Sequence, residues 1–282
     1  INYCINRNKV CVNKLATKAD FIIGIGSIVP HATTGYSGGG KIILPGICGG
    51  TSIEDIHWQA LRFKTKDILG VYDNPIRRTI DSAAIKAGLK FIVNSIIDCR
   101  NRVVDFVAGD PVEAHKKGAA IAKRVFGFAV QQRADIVVAD ARPMDIDLRQ
   151  AIKAVVSSDM IVTRGGIIIL IARCPEGVAP QFPEFEKYGF RDPDGLKRRV
   201  EKKAIKGKLM AYTLIVVGRI LKYKAKVILV SQGISPSTAQ RLGFLWAASL
   251  GSALADAKKL INKKKPKIIF LKRACEVLPL IS

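Results

Sequence analysis

The sequence predicts an α/β protein built as two domains with largely parallel sheets flanked by helices. Three observations carry that prediction. Short apolar runs rich in Ile and Val alternate along the chain with stretches of helical period. Some of these runs, "DIVVADA" and "GIIILIA" among them, are continuous in the way expected of strands buried on both faces. The length of 282 residues, 49% of them apolar, supports one large core or two modest ones and leans toward two.

In chain order, Asp20 to Val29 is a β-rich run that delivers Pro30 and His31 into the stretch "ATTGYSGGGK", so the glycine loop sits at a strand's carboxyl end. Ile42 to Leu44 reads as a short buried strand closed by Pro45-Gly46. Thr51 or Ser52 caps a helix to about Phe63, with Glu54 and Asp55 in its first turn, where they complement the helix dipole. Asn74-Pro75 opens a helix to about Ala87. Phe91 to Ile97 and Arg102 to Ala108 read as strands, and Gly109-Asp110-Pro111 caps a helix through about Val125. A second unit begins with the strand "ADIVVADA" from Ala134, followed by a helix from about Asp147 to Ser157 and a strand from Gly166 to Ala172. Residues 195 to 221 are largely helical, Val227 to Val230 is a strand, Thr238 to Ile261 holds another helix, and Ile268 to Leu271 closes the pattern. The expected domains are therefore 1–132 and 133–282.

Composition removes several classes of function. The longest unbroken apolar run, Ile167 to Ala172, is far short of the roughly 18 residues of a membrane span, and no cationic leader precedes an apolar stretch. A cytoplasmic protein is expected. The six cysteines, Cys4, Cys11, Cys48, Cys99, Cys174 and Cys275, show no C-x-x-C spacing, so neither a zinc ribbon nor a disulfide framework is signalled. The net charge is +23, and residues 196 to 226 hold eleven Lys or Arg against one Glu. No recognition-helix or RNA-binding signature accompanies that patch, so it reads as a solvated helix face and not as a specific nucleic-acid site. The opening "INYCINRNKVCVNK" looks like the run-in to a strand, and part of a longer polypeptide is expected to be missing.

The stretch from Gly35 to Lys41, G-Y-S-G-G-G-K, follows the spelling of a phosphate-binding loop up to its last position, where Ile42 replaces the Ser or Thr that would ligate magnesium. No helix is expected directly after Lys41 to hold phosphates on its first amides. Another role must explain a lysine after three glycines: glycines allow close approach of a bulky group, and the apolar run after Lys41 would hold its stem, which suits a tethered or anionic cofactor. Three histidines are present. His31 lies on the solvent-reachable loop where an open α/β sheet places ligands. His57 lies on the next helix, so that both imidazoles could face one pocket with Lys41 between them. His115, beside Lys116 and Lys117, reads as a surface or helix-packing residue.

The string "IGSIVPHATTGYSGGGKIILPGICGG", followed by His57, resembles the catalytic loop of the nickel-pincer lactate racemase family. The resemblance continues through "NPIRRTIDSAA", "AGLKFIVN", "AGDPVEAHKKG" and "DIDLRQAIKAV" and covers most of the chain. It implies an isomerase, a racemase or epimerase of a 2-hydroxy acid, using a nicotinate-derived nickel-pincer nucleotide made by dedicated biosynthetic enzymes. Matched by motif, the tethering lysine falls on Lys41, flanked by Ser37, Gly38 and Gly39 as cofactor contacts. The nickel ligand falls on His57, one of two acid–base histidines on His31, and the substrate-holding Gln and Lys on Gln150 and Lys153. The implied chemistry moves hydride from the substrate to the cofactor while a histidine takes the hydroxyl proton, because the Cα–H is too weakly acidic for side chains alone.

The sequence departs from the family pattern in two places. Arg149 stands where lactate-specific members carry an aromatic residue, which favours a substrate with a second anionic or hydroxylated end if Arg149 faces the cleft, and leaves the choice open if it faces solvent. Roughly the first third of the family's chain, with the second acid–base histidine and a carboxylate-binding arginine, has no counterpart. A cofactor-free relative acting as a binding or accessory protein is the alternative reading.

Overall fold

The computed structural model describes residues 2–5 and 8–281, with side chains described from Val10 to Ile281. The Cys4 side chain therefore lies outside the described residues, as do residues 1, 6 and 7 of the opening stretch. Cys11, Cys48, Cys99, Cys174 and Cys275 carry thiols and form no disulfide. The chain divides into two compact units, 1–127 and 128–282. Among the described residues no helix is long and apolar enough to cross a membrane.

The first unit opens with the antiparallel pair β1 (Asn2–Ile5) and β2 (Asn8–Cys11), followed by β3 (Ile22–Ser27) and a small hairpin of β4 (Pro30–His31) and β5 (Gly35–Tyr36). Helices α1 (Gly50–Ala60), α2 (Thr65–Ile68) and α3 (Pro75–Lys86) come next, then β6 (Leu89–Ile97), β7 (Val103–Gly109) and α4 (Glu113–Phe126). Its sheet has the order β3-β6-β7, with β3 parallel to β6 and β6 antiparallel to β7. Helix α3 starts where Asn74 accepts from the Arg77 amide at 2.9 Å and Pro75 fills the first turn. Ahead of α4, Asp110 accepts from the amides of Val112 and Glu113. Both helices send apolar faces inward, Ile76, Ile80, Ala83 and Ala84 from α3 and Ala114, Ala119 and Ala122 from α4, where they pack with the buried Ile92 and Ile96 of β6. Ile23, Ile25, Phe91 and Phe106, on the opposite face of the sheet, are exposed.

The second unit contains β8 (Gly127–Val130), β9 (Ala134–Asp140), α5 (Leu148–Ala151), α6 (Lys153–Asp159), β10 (Val162–Ile171), α7 (Glu184–Tyr188), α8 (Pro193–Glu201) and α9 (Lys208–Tyr223). It finishes with β11 (Ala225–Val230), α10 (Pro236–Leu242), β12 (Leu245–Ala247), α11 (Leu250–Ile261), β13 (Ile268–Leu271) and β14 (Leu278–Ile281), the last paired with β8. Five strands form an all-parallel sheet of order β12-β11-β10-β9-β13. Its central runs, Ile136–Ala139, Ile167–Leu170 and Val227–Leu229, are buried, which explains their unbroken apolar spelling. From β9 the chain steps to β10, β11 and β12 on one side, and only β13 lies on the other. The reversal makes the carboxyl ends of β9 and β13 a switch point, where open α/β sheets bind ligands.

Three stretches read as helical are divided. The stretch 238–261 becomes α10, β12 and α11, because Gly243 turns left-handed at φ 103° and Ser249 starts a new helix with a capping box. The stretch 195–221 breaks between α8 and α9, with Gly207 left-handed before the second helix. The helix expected over 147–157 is divided at Ile152 into α5 and α6.

Candidate functional site

From Ser27 the chain runs through Ile28, whose amide donates to the Ser95 carbonyl at 2.9 Å, into the β4–β5 hairpin with His31 opposite Gly35. A 3-10 turn over Gly39–Ile42 follows, so no α-helix begins at Lys41 and the loop lacks the helix-opening geometry of a P-loop. The strand expected at Ile42–Leu44 is absent. Ile43 and Leu44 are 1% exposed, as their apolar character requires, but their amides both donate to the Gly40 carbonyl, at 3.0 and 3.1 Å. Burial was legible in those residues; the local hydrogen-bond partner was not.

The glycines face the scaffold closely. A Cβ on Gly39, at φ 57°, would sit 2.7 Å from the His115 ring, and one on Gly40 would sit 2.7 Å from Asp81 Oδ1. One on Gly38, at φ 71°, would sit 2.7 Å from Asn94 Oδ1. Asn94 also accepts from the Gly39 amide at 2.8 Å. The Ser37 hydroxyl donates to the Ser27 carbonyl at 2.8 Å and accepts from the Val29 amide at 2.9 Å. The three residues expected to contact a cofactor, Ser37, Gly38 and Gly39, are thus each anchored to the fold.

Arg77 of α3 underlies the loop at 1% exposure. It donates to the carbonyls of Gly38 at 3.3 Å, of Thr34 at 3.5 Å and of Tyr36, and pairs with Asp81 at 3.4 Å. Burial raises Asp81 above the usual carboxylate range, with Arg77 opposing. His115, fully buried, donates from Nε2 to the Ser37 carbonyl at 2.8 Å, and burial followed by the charge of Arg77 pushes it down to about 3. It packs as a helix residue under the loop. Among the described residues, Arg77 Nε and His115 Nδ1 are buried polar atoms with no hydrogen-bond partner, a costly arrangement. Sequence reading missed Arg77, Asp81 and Asn94. The available signal was "NPIRRTID", where Arg77 and Asp81 fall four apart on one helix face.

The charge of Lys41 acts on His57. His57 of α1 donates from Nδ1 to the Ile53 carbonyl one turn back, at 2.7 Å, which places the ring's lone pair on Nε2. Burial lowers its proton affinity most, the Ile53 bond opposes, and the Lys41 charge lowers it further. The ring is therefore neutral at neutral pH. His31 is half-buried on the hairpin, and its Nδ1 accepts from the Thr33 amide at 3.2 Å, which puts the proton of its neutral ring on Nε2.

In the second unit α5 begins at Asp147, whose side chain accepts from the Gln150 amide at 2.7 Å. The loop after β10 fastens to it, with the amides of Leu148 and Arg149 donating to the carbonyls of Gly177 and Val178, each at 3.0 Å. On its other side Cys275, in the loop after β13, reaches the Ala151 carbonyl at 3.8 Å. Gln150 and Lys153 thus lie at the switch point. They do not share one regular helix: Gln150 is in α5, and Lys153 opens α6. Arg149 stacks on Phe182, its guanidinium carbon 4.9 Å from the ring centroid. Lys153 is exposed as a residue, yet its ammonium is held below the usual lysine range, first by the protein packed around it, with Arg149 adding and Cys275 and Asp147 opposing.

The chain matches the lactate racemase N-terminal domain over residues 4–67 and the lactate racemase C-terminal domain over residues 129–278. It is 31% identical over 259 residues to the lactate racemase of Thermoanaerobacterium thermosaccharolyticum, covering 90% of this chain and 60% of that protein. Identity to the lactate racemase of Lactiplantibacillus plantarum is 28% over 249 residues, covering 87% and 58% respectively. The structure superposes on the lactate racemase apoprotein from T. thermosaccharolyticum with a TM-score of 0.86 at 29% identity, over 97% of this chain and 66% of that one. A protein from Thermotoga maritima shares the fold, with a TM-score of 0.74 at 21% identity over 97% and 70% of the two chains. The chain spans 58–60% of the length of the two lactate racemases it matches in sequence. With both domain matches in order and the second alone covering more than half of the residues, the chain belongs to the lactate racemase family.

Proposed function

We propose that this chain carries the nickel-pincer nucleotide of a 2-hydroxy acid racemase or epimerase, tethered at Lys41 and ligated through His57. The observation that carries the reading is the state of His57: its Nδ1–H is committed to the Ile53 carbonyl, burial keeps the ring uncharged, and the Nε2 lone pair suits a metal. Among the described residues no group of three or more His, Cys, Asp or Glu is placed to hold a metal ion. A single imidazole fits a metal whose other donors arrive with an organic cofactor. Lys41, on a turn anchored through Gly38, Gly39 and Gly40, fits the tether.

When bound, the cofactor supplies a hydride acceptor for the substrate's Cα–H. Lys153 binds the substrate carboxylate by charge-assisted hydrogen bonding, and Gln150 orients it. His31 handles the proton on the substrate oxygen. In the tautomer fixed by Thr33 it donates from Nε2 to that oxygen; to accept the hydroxyl proton there, the Thr33 contact must open so that Nδ1 carries the ring proton. The alternative is a cofactor-free relative serving as a binding or accessory protein.

Mass spectrometry of the Lys41 peptide, from protein produced alongside the cofactor's biosynthetic enzymes, separates the two. A covalent adduct supports the racemase reading, and an unmodified Lys41 supports the other. In adduct-bearing protein, His57→Ala is expected to lose nickel while keeping the adduct. Full nickel retention would assign His57 a structural role.

A further inference from the structure

The amino end of the five-stranded sheet, opposite the switch point, carries a row of cations. Four neighbouring strands, β11, β10, β9 and β13, each have an exposed basic residue at or just before their start: Lys226, Arg164, Arg133 and Lys267. Adjacent strands lie about 4.8 Å apart, so the row spans about 14 Å. Arg164 owes its place to an irregularity in β10. Val162 pairs with Ala134 and Ile167 with Ile136, so the stretch 163–166 stands against Asp135 alone. The extra chain bulges outward, with Gly165 at φ 80° and nothing within 4 Å of its Cβ position. A bulge of this kind re-aims a side chain, here the Arg164 guanidinium into solvent.

The carboxylates at this end are already engaged. Asp135 accepts from Lys263 at 2.6 Å and from the Lys267 amide at 3.0 Å, and Asp159 pairs with Lys224 at 3.0 Å. Among the described residues the four side chains of the row make no ion pair, and Lys267 donates to the uncharged Gln132. Lys264 and Lys265, exposed in the turn after α11, extend the row beside Lys267. Helix dipoles do not account for it, because the last turns of α9 and α11 have their own cations in Lys222, Lys258 and Lys259. Like charges in a line repel, and a chain of net charge +23 has no surplus of acids to offset them.

A line of charge selects its partner by shape. A nucleic-acid strand carries one negative charge per about 3.4 Å of duplex axis, so about 14 Å of it presents about four phosphates to the four cations. An anionic membrane is a plane and gives no advantage to a single row. The row is made of loop and strand-entry side chains, with no element set to enter a groove and read base edges.

We propose that the amino end of the five-stranded sheet binds the phosphate backbone of a nucleic acid, without regard to base sequence, through Lys226, Arg164, Arg133 and Lys267. Binding there leaves the carboxyl end of the same sheet, with Gln150 and Lys153, uncovered.

The test is fluorescence anisotropy of the complete 282-residue chain with labelled DNA and RNA duplexes of about 20 base pairs and mixed sequence. Four phosphate contacts predict a slope of log affinity against log salt of about −3.6, which is a loss of about 150-fold between 50 and 200 mM salt. Replacing the four cations by Gln is expected to remove most of that slope and to weaken binding at 50 mM at least about 100-fold. Lys116, Lys117, Lys123 and Arg124, exposed on α4, give a control with the same loss of charge; their replacement by Gln should leave the slope unchanged. No binding by the unaltered chain at 50 mM salt, or a slope shallower than about −2, overturns the proposal whether or not either variant folds. Equal weakening by the two variants also overturns it, because affinity would then follow net charge and not the row. Phosphatidylserine vesicles that bind as tightly as the duplexes, and lose binding in the same variant, would do the same. A preference for one duplex over the other keeps the proposal and names the nucleic acid.

Discussion

Replacing Gly39 by Ala tests the tight seating of the loop that carries Lys41. Two costs are expected. The residue has φ 57°, and a left-handed conformation costs a non-glycine residue about 1–2 kcal/mol. The added Cβ would also lie 2.7 Å from the His115 ring, which is buried and hydrogen-bonded to Ser37, and forcing a methyl into such a packed place costs about 1–3 kcal/mol. Gly39→Ala should therefore lose about 2–5 kcal/mol of first-unit stability. Two controls in the same unit separate the contributions. Gly88, at φ 99°, has its nearest neighbour at 3.6 Å, so Gly88→Ala should show the backbone cost alone. Gly50 has nothing within 4 Å and lies in α1, so Gly50→Ala should be neutral or stabilising by up to about 1 kcal/mol. The assay is urea unfolding followed by Trp58 fluorescence in a Trp246→Phe background, which reports the first unit. If Gly39→Ala costs no more than Gly88→Ala, the loop is not packed against His115 as described and the argument for its rigidity fails.

Acid should weaken the first unit through His115. Its folded proton affinity, near 3, lies below the unfolded value of 6.5, so the unfolded state gains a proton first; this stability is present above about 6.5 and is lost as pH falls toward 3, at about 1.4 kcal/mol per unit. His115→Gln should flatten the slope of stability against pH between 6 and about 4.5; an unchanged slope means His115 is not buried neutral. Arg77→Met strands Asp81 and should cost about 3–5 kcal/mol in the Trp58 assay, whereas the Arg77→Met, Asp81→Leu double variant should cost less than the single one. Asn94→Ala leaves the Gly39 amide without its acceptor and should cost about 1–3 kcal/mol by the same measurement.

The sequence determined what depends on composition and period. The α/β class follows from buried runs such as Ile136–Ala139 and Ile167–Leu170, whose spelling records burial on both faces, and the family follows from motifs that stay in order along the chain. Helix starts with a named cap, Asn74-Pro75 and Asp147, were legible because the capping side chain and the amide it serves are three residues apart. Tertiary structure decided the rest. Ile42–Leu44 reads as a strand and folds as a turn, because apolarity specifies that a residue is buried and not which carbonyl its amide will find. The Gly39 amide meets Asn94 fifty-five residues away and the Ser37 carbonyl meets His115 seventy-eight residues away, and no local pattern encodes such partners. Likewise, the Nδ1–H of His57 could be read only once α1 had placed the Ile53 carbonyl, since which ring nitrogen keeps its lone pair is set by the hydrogen bond the other one makes.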